Sequence, residues 1–252
     1  MLKHRLIPTL LYKDYGLVKG VAFDSWRRIG SAVQAVKVYN MREVDELIFL
    51  DITATQQGRQ PDFELVDDLA DECFMPLTVG GGIGGTDDVE RLLAVGADKV
   101  ALNTALVEKP RLVTEIANRF GTQCAVASID ARSKGPAQYE VVIRSGTQPT
   151  GKDPCELAKT AEELGAGEIL ITSVDRDGTM QGYDTALTER VANAVSIPVI
   201  ASGGAGTYEH MFEVFSTTGA TALSASSMFH FTEQTPNEAK EYLAGRGVPV
   251  RK

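Results

Sequence analysis

Two stretches of this chain carry nearly the same message. Met75-Pro76-Leu77-Thr78-Val79-Gly80-Gly81-Gly82-Ile83 is answered 122 residues later by Ile197-Pro198-Val199-Ile200-Ala201-Ser202-Gly203-Gly204-Ala205. Gly96-Ala97-Asp98-Lys99-Val100-Ala101-Leu102-Asn103-Thr104 is answered by Gly219-Ala220-Thr221-Ala222-Leu223-Ser224-Ala225-Ser226-Ser227, and Glu46-Leu47-Ile48-Phe49-Leu50 by Glu168-Ile169-Leu170-Ile171-Thr172. An internal repeat constrains architecture before any residue is given a role. Each half must hold a glycine cup and a second cup of small residues at one spacing.

Short apolar runs alternate with helical stretches along the whole chain. Strands are expected near 5–11, 46–52, 75–80, 98–103, 123–130, 168–173, 197–202 and 220–225, each apolar enough to be buried on both faces. Helices are expected over Asp62–Glu72, Asp87–Val95, Pro110–Phe120, Asp153–Leu164 and Ala186–Ala194, with Thr86 and Thr207 as caps. Eight βα units repeating after four predict a (βα)8 TIM barrel built from two half-barrels, one domain over residues 1–252. A doubly wound open sheet is the competitor, and it gives no reason for the repeat. Lys13 to Gly30 is an unusually long connection, either a lid or a plain surface loop. Arg132–Gly151 is expected to fold as a hairpin over the barrel mouth.

The net charge of −9 argues against nucleic acid or an anionic membrane as a general partner. Cys73, Cys124 and Cys155 have no metal spacing, and their odd number fits a reducing compartment. With no long apolar run, a soluble cytoplasmic protein is expected. His4, His210 and His230 are too scattered for a metal site, and no cofactor is implied.

In such a barrel chemistry belongs to the C-terminal ends of the strands. Gly81 and Gly82 end the third strand, Asn103 and Thr104 the fourth, Gly203 and Gly204 the seventh, Ser226 and Ser227 the eighth. Two matched cups predict two phosphate sites on opposite sides of the mouth, for a phosphorylated small molecule. Asp130 is a lone carboxylate tipping an apolar strand, suited to acid–base work once burial raises its pKa. Asp51 and Asp177 share that face, as catalytic acids or as loop braces. Lys19 either reaches over the mouth or stands in solvent. At the opposite end Arg5, Glu46, Lys99 and Glu168 open strands. Brought to the axis they must neutralise one another in an ionic ring; otherwise they are ordinary surface charge.

Val44-Asp45-Glu46-Leu47-Ile48-Phe49-Leu50-Asp51-Ile52-Thr53-Ala54, Pro76-Leu77-Thr78-Val79-Gly80-Gly81-Gly82-Ile83, Gly96-Ala97-Asp98-Lys99-Val100, Asp175-Arg176-Asp177-Gly178-Thr179 and the Ile197–Gly206 stretch together resemble the cyclase subunit of imidazole glycerol phosphate synthase, over essentially the whole chain. The resemblance implies a glutaminase subunit docked at the N-terminal face, sending ammonia along the barrel axis. It implies an ammonia gate at Arg5, Glu46, Lys99 and Glu168, and a place for Asp98 in the partner interface. That family pairs an Asp ending the first strand with one ending the fifth. The second is Asp130; the first falls on Leu11, a position the repeat also identifies, since Leu6–Leu11 aligns with Ala125–Asp130. The family's Asn in the lid segment is replaced by Ala22.

The Leu10-Leu11 end of the first strand and the stretches Arg28-Ile29-Gly30 and Ala35–Asn40 resemble a divergent branch of that family. The branch serves surface-polysaccharide (lipopolysaccharide) pathways, installing an amidine on a nucleotide-activated sugar together with a glutaminase and a synthetase-like protein. The expected function is therefore an ammonia-accepting synthase subunit of a glutamine amidotransferase. A true histidine-biosynthesis cyclase, a lyase, and a non-catalytic channelling scaffold are the alternatives.

Overall fold

The computed structural model describes residues 3–14 and 16–251. In chain order its strands are β1 (Arg5–Lys13), β2 (Gly16–Val21), β3 (Asp24–Gly30), β4 (Leu47–Asp51), β5 (Leu77–Gly80), β6 (Lys99–Leu102), β7 (Ala125–Gly135), β8 (Gln138–Ile143), β9 (Gln148–Pro149), β10 (Glu168–Ser173), β11 (Val199–Ser202) and β12 (Ala222–Ala225). Strands β1, β4, β5, β6, β7, β10, β11 and β12 pair in parallel in that order, and β12 returns to β1 with Arg5 opposite Ala222. The eight-stranded barrel is thus closed, as the repeat predicts. Its strands are short and apolar on both sides because helices cover the outside while side chains fill the inside.

The helices fall where expected, with ends that differ by a residue or two. Asp62 caps Phe63–Ala70 by accepting from the Leu65 N–H at 3.1 Å. Asp153 caps Pro154–Glu163 and Thr207 caps Tyr208–Thr217 in the same way. Thr86 is not a cap: it is the first residue of Thr86–Ala94, and extended Gly85 occupies the cap position. Among the described residues no helix is long and apolar enough to cross a membrane.

The connection Lys13–Gly30, expected as a loop, is a β-ribbon. β1 runs beyond the barrel, pairs antiparallel with β2 (Leu11 opposite Val18), and β2 pairs with β3. The second half does the same where a hairpin was expected: β7 pairs with β8 (Asp130 opposite Val142) and β8 with β9. The first strand of each half therefore grows into its own ribbon above the mouth.

The first ribbon is fastened at three places. The Ala22 N–H donates to the Asp177 carbonyl at 2.8 Å. Phe23 packs on Gly146 of the second ribbon's connection. Gly178 has φ +73°, and a Cβ there would stand 1.9 Å from the Gly20 carbonyl oxygen. Gly178→Ala must therefore both enter the left-handed region and push the ribbon away. We expect it to cost about 2 kcal/mol in thermal unfolding and to loosen the roof.

Inside the barrel, side chains of one face recur every second residue. Arg5, Glu46, Lys99 and Glu168 are followed two residues on by Ile7, Ile48, Ala101 and Leu170, which with Val126, Ile200 and Ala222 form a separate inner core cluster. Above it come the buried hydroxyls of Thr9, Ser128, Thr172 and Ser224. From bottom to top the axis reads charge, hydrocarbon, hydroxyl, then the mouth.

Candidate functional site

At the N-terminal end the four charges close into a ring. Arg5 donates to Glu46 at 2.7 Å and, through its other Nη, to Glu168; Lys99 Nζ donates to Glu46 at 2.8 Å and to Glu168 at 3.1 Å. Every cation touches both anions. All four side chains are largely buried, the most open being Lys99 at 18%. Burial works to raise the Glu46 carboxyl, and Arg5 with Lys99 more than reverses this, holding it below the ordinary carboxylate range. Asp98, next to Lys99, spends one oxygen on the Leu77 N–H at 2.8 Å while staying exposed at this end.

At the other end lies a cavity of about 580 Å³ that brings together most of the residues singled out in the sequence. Lys19, Asp130 and Asp177 line it with Leu11, under Phe23 and Trp26 of the first ribbon. Lys19 descends from β2 into the barrel top, where its Nζ donates to the Thr9 carbonyl at 3.0 Å. It is only 4% exposed, so the solvated alternative does not hold. Burial pulls its ammonium down to about 8, against the opposing charge of Asp177. Burial lifts Asp177 to about 6, with Lys19 limiting the rise. Asp130 goes up to about 7, first through burial and then through the charge of Asp177, while a hydrogen bond from Thr172 works against the shift. Three neighbouring groups thus change charge within reach of neutrality, an arrangement suited to proton transfer.

Leu11 stands at the end of β1, where the repeat places the counterpart of Asp130 at the end of β7. It contributes only hydrocarbon to the mouth. Asp51 also lines the cavity, but its carboxylate is occupied: Oδ1 accepts from Thr53 N at 2.9 Å, Thr53 Oγ1 at 2.9 Å and Ala54 N at 3.0 Å, and Oδ2 from Arg59 at 3.1 Å. That is the geometry of a loop brace, one of the two roles expected of Asp51.

The two cups sit on opposite sides of the mouth because β5 neighbours β6 and β11 neighbours β12. Gly81, Gly82, Asn103 and Thr104 line the first; Gly203, Gly204, Ser226 and Ser227 line the second. Three of the side chains have other tasks. Asn103 Nδ2 donates to Asp130 at 3.1 Å and to the Ser128 carbonyl at 3.1 Å, so it orients the carboxylate. Thr104 Oγ1 accepts from the Arg144 N–H at 3.1 Å, and Ser226 Oγ donates to the Thr9 carbonyl. What these positions offer a ligand is chiefly backbone. Asn103, Thr9 and Thr172 as partners of the ionisable trio had no sequence signal, since pairing of β6, β7, β10 and β1 alone makes them neighbours.

Among the described residues, no three His, Cys, Asp or Glu side chains gather in a way that could hold a metal ion. A family model described as "Histidine biosynthesis protein" matches residues 5–235. That match spans both half-barrels, the ring and the mouth; the chain belongs to the histidine biosynthesis protein family of TIM barrels.

Proposed function

We propose that this protein is the ammonia-accepting synthase subunit of a glutamine amidotransferase, and that it adds ammonia to a phosphorylated substrate other than the histidine-pathway intermediate. The observation that carries this is the closed ring of Arg5, Glu46, Lys99 and Glu168 beneath a barrel axis that ends at Lys19, Asp130 and Asp177. A plain isomerase has no use for a charged ring at the far end of its barrel. For a synthase fed from below, the ring is a gate, and the hydrocarbon layer above it passes neutral ammonia rather than ammonium.

In the mouth, ammonia attacks an electrophilic carbon and the new C–N bond leaves a surplus proton on nitrogen. Ionised Asp130, oriented by Asn103 and Thr172, accepts that proton. The Lys19 ammonium donates to the departing oxygen, and Asp177 sustains its charge. With Leu11 in place of a second carboxylate, ring closure loses an acid–base group worth about 10²–10⁴-fold. Amidine formation on a nucleotide-activated sugar, after activation by a synthetase-like protein, needs one C–N bond and no ring closure. It is the reading that accommodates Leu11 best. Survival of both cups favours the second reading, a histidine-type cyclase whose substrate carries phosphate at each end.

Glutaminase docking at the N-terminal face is part of this proposal. Phe74 (80% exposed) lies on the connection leading into β5, and Met41 (77% exposed) ends the helix Ala32–Met41 that precedes β4, so both sit toward the ring end of the barrel. Large exposed apolar side chains of this kind mark protein contact. Phe74→Asp is expected to weaken glutaminase binding by about tenfold or more, read by titration calorimetry, with ammonia-driven turnover unchanged.

The decisive assay supplies ammonium salts to the purified protein with the histidine-pathway substrate, and tests complementation of a cyclase-deficient strain. Negligible turnover and no growth despite good expression are expected. Turnover near that of a two-carboxylate enzyme establishes the cyclase reading instead.

A further inference from the structure

The ring at the bottom of the barrel is held by two unlike braces. The residue before Glu46 is Asp45. Its Oδ2 accepts from the Leu6 N–H at 2.8 Å, and Leu6 follows Arg5. One carboxylate thus ties together the chain neighbours of Arg5 and Glu46, the ring members that bond each other at 2.7 Å. In the second half of the repeat the residue before Glu168 is Gly167, whose N–H donates directly to the Ala125 carbonyl at 2.9 Å. No side chain fits there, because a Cβ would stand 2.3 Å from the Thr122 carbonyl oxygen. The Glu168 side is fixed by backbone, and the Glu46 side by a side chain.

A buried carboxylate needs a countercharge. Lys240 supplies it: its Nζ donates to Asp45 Oδ1 at 2.9 Å and to the Glu43 carbonyl at 2.9 Å, with the two side chains 10% and 2% exposed. Asp98, which precedes Lys99 and braces the Leu77 N–H in the same way, is exposed, and among the described residues it has no cation within ion-pair distance. Lys240 comes from the helix Pro236–Gly245, beyond the stretch 5–235 that matches the family model. Thr235 and Glu238 close a capping box at the start of that helix, and Ala239 and Leu243 are fully buried, so the lysine has a firm seat. It grips the Glu43–Asp45 connection, which leads from exposed Met41 to Glu46, at two points.

We propose that Lys240 is a positioning residue of the ring: by clamping the Glu43–Asp45 connection it keeps Glu46, and through Leu6 also Arg5, in the closed arrangement. Its own bonds go to Asp45 and Glu43, so it acts through them. Without Lys240, Asp45 is a buried carboxylate with no cation, and it must swing toward solvent or take up a proton. The bond to Leu6 weakens either way, since a neutral carboxyl accepts less strongly than a carboxylate. For its consequence the proposal rests on the gate reading: a ring loosened on the Glu46 side lets ammonia escape before it reaches the mouth.

Lysine labelling of the intact protein with acetic anhydride, read by mass spectrometry with no glutamine, ammonia or partner present, tests this. Lys99 Nζ, bonded to both ring glutamates, reports the closed ring; Lys159, half exposed on the helix Pro154–Glu163, is the control. Lys240→Met is expected to raise Lys99 labelling about fivefold or more and to leave Lys159 within about twofold. Because the single variant strands Asp45, Asp45→Asn combined with Lys240→Met removes both charges; it is expected to unfold close to the wild type and to show the same rise at Lys99. Unfolding curves check that each labelled protein is folded. Wild-type labelling of Lys99 in a folded Lys240→Met or in the double variant overturns the proposal, as does a rise at Lys159 equal to that at Lys99. Labelling is read without turnover, so failure of the gate reading leaves this result intact, and failure here leaves the gate to its own ammonia and glutamine assays.

Discussion

Asparagine in place of Asp130 lowers ammonia-dependent turnover by about 10²–10⁴-fold while the protein stays folded. The amide keeps the shape and the contacts with Asn103 and Thr172 but cannot take the proton released when nitrogen attacks. The pH profile supplies the second readout. With Asp130 near 7 and Lys19 near 8, the competent state, Asp130 ionised and Lys19 protonated, peaks between those values. The wild-type rate should rise from pH 6 to 7 and fall above 8, and Asp130→Asn should erase the acid limb. Turnover that survives the substitution unchanged makes the barrel a passive conduit.

The same substitution should make the protein more stable. The folded pKa of Asp130, about 7, lies above the ordinary 3.8, so the folded state holds its proton more tightly. Stability therefore falls as pH rises from about 4 to about 7, and above that the full penalty is paid. Asp130→Asn removes it, and at pH 8 a gain of about 2 kcal/mol is expected, discounted because the carboxylate faces an open cavity. At pH 4 the gain should vanish. Thermal unfolding at the two pH values measures the difference.

Breaking the ring should give the largest loss of stability. Glu168→Ala leaves Arg5 and Lys99 with only Glu46 between them, and stranding a buried charge costs about 3–5 kcal/mol. Replacing all four members by apolar residues of similar size is expected to be far milder, because no charge is left uncompensated. Function separates the gate from a mere brace. The apolar version should run on ammonium salts at close to the wild-type rate, yet lose coupling to glutamine hydrolysis by the partner. Equal loss with both nitrogen sources assigns the ring to stability alone. Urea unfolding and paired ammonia- and glutamine-driven assays provide the measurements.

The barrel was legible because the repeat acts on whole βα units, and Glu46 with Glu168 showed by the same logic that the ring had two matching anions. Leu11 was legible as a missing carboxylate for the same reason. The second ribbon was legible as a hairpin from Tyr139–Ile143, and the first was not. Gly16–Val21 and Asp24–Gly30 alternate poorly, and their turn, Ala22-Phe23, lacks the Asn-Gly signature of a tight hairpin. Nor could the sequence show that Asn103 bonds to Asp130, 27 residues away. Strand pairing decides such contacts, and spacing along the chain carries no trace of them. Asp51 is the converse case: its strand-end position was legible, and so were its bonds to Thr53 and Ala54, which arise from local turn geometry.

The tip of the first ribbon places Ala22 at φ +50° and Phe23 at φ +62°, both in the left-handed region where side chains with a Cβ are disfavoured by about 1 kcal/mol each. These values are those of a tight two-residue hairpin turn, with Val21 paired to Asp24 across it. The tip is held over the mouth by the Ala22–Asp177 hydrogen bond and the seat of Phe23 on Gly146. Opening the mouth on this side requires both of these contacts to break. The Ala22 amide should exchange with deuterium faster than those of the paired residues of β2, at the rate at which its bond to Asp177 breaks. Asp177 is joined to this tip by its backbone carbonyl, so the ribbon that covers the mouth and the carboxylate inside it belong to one connected unit.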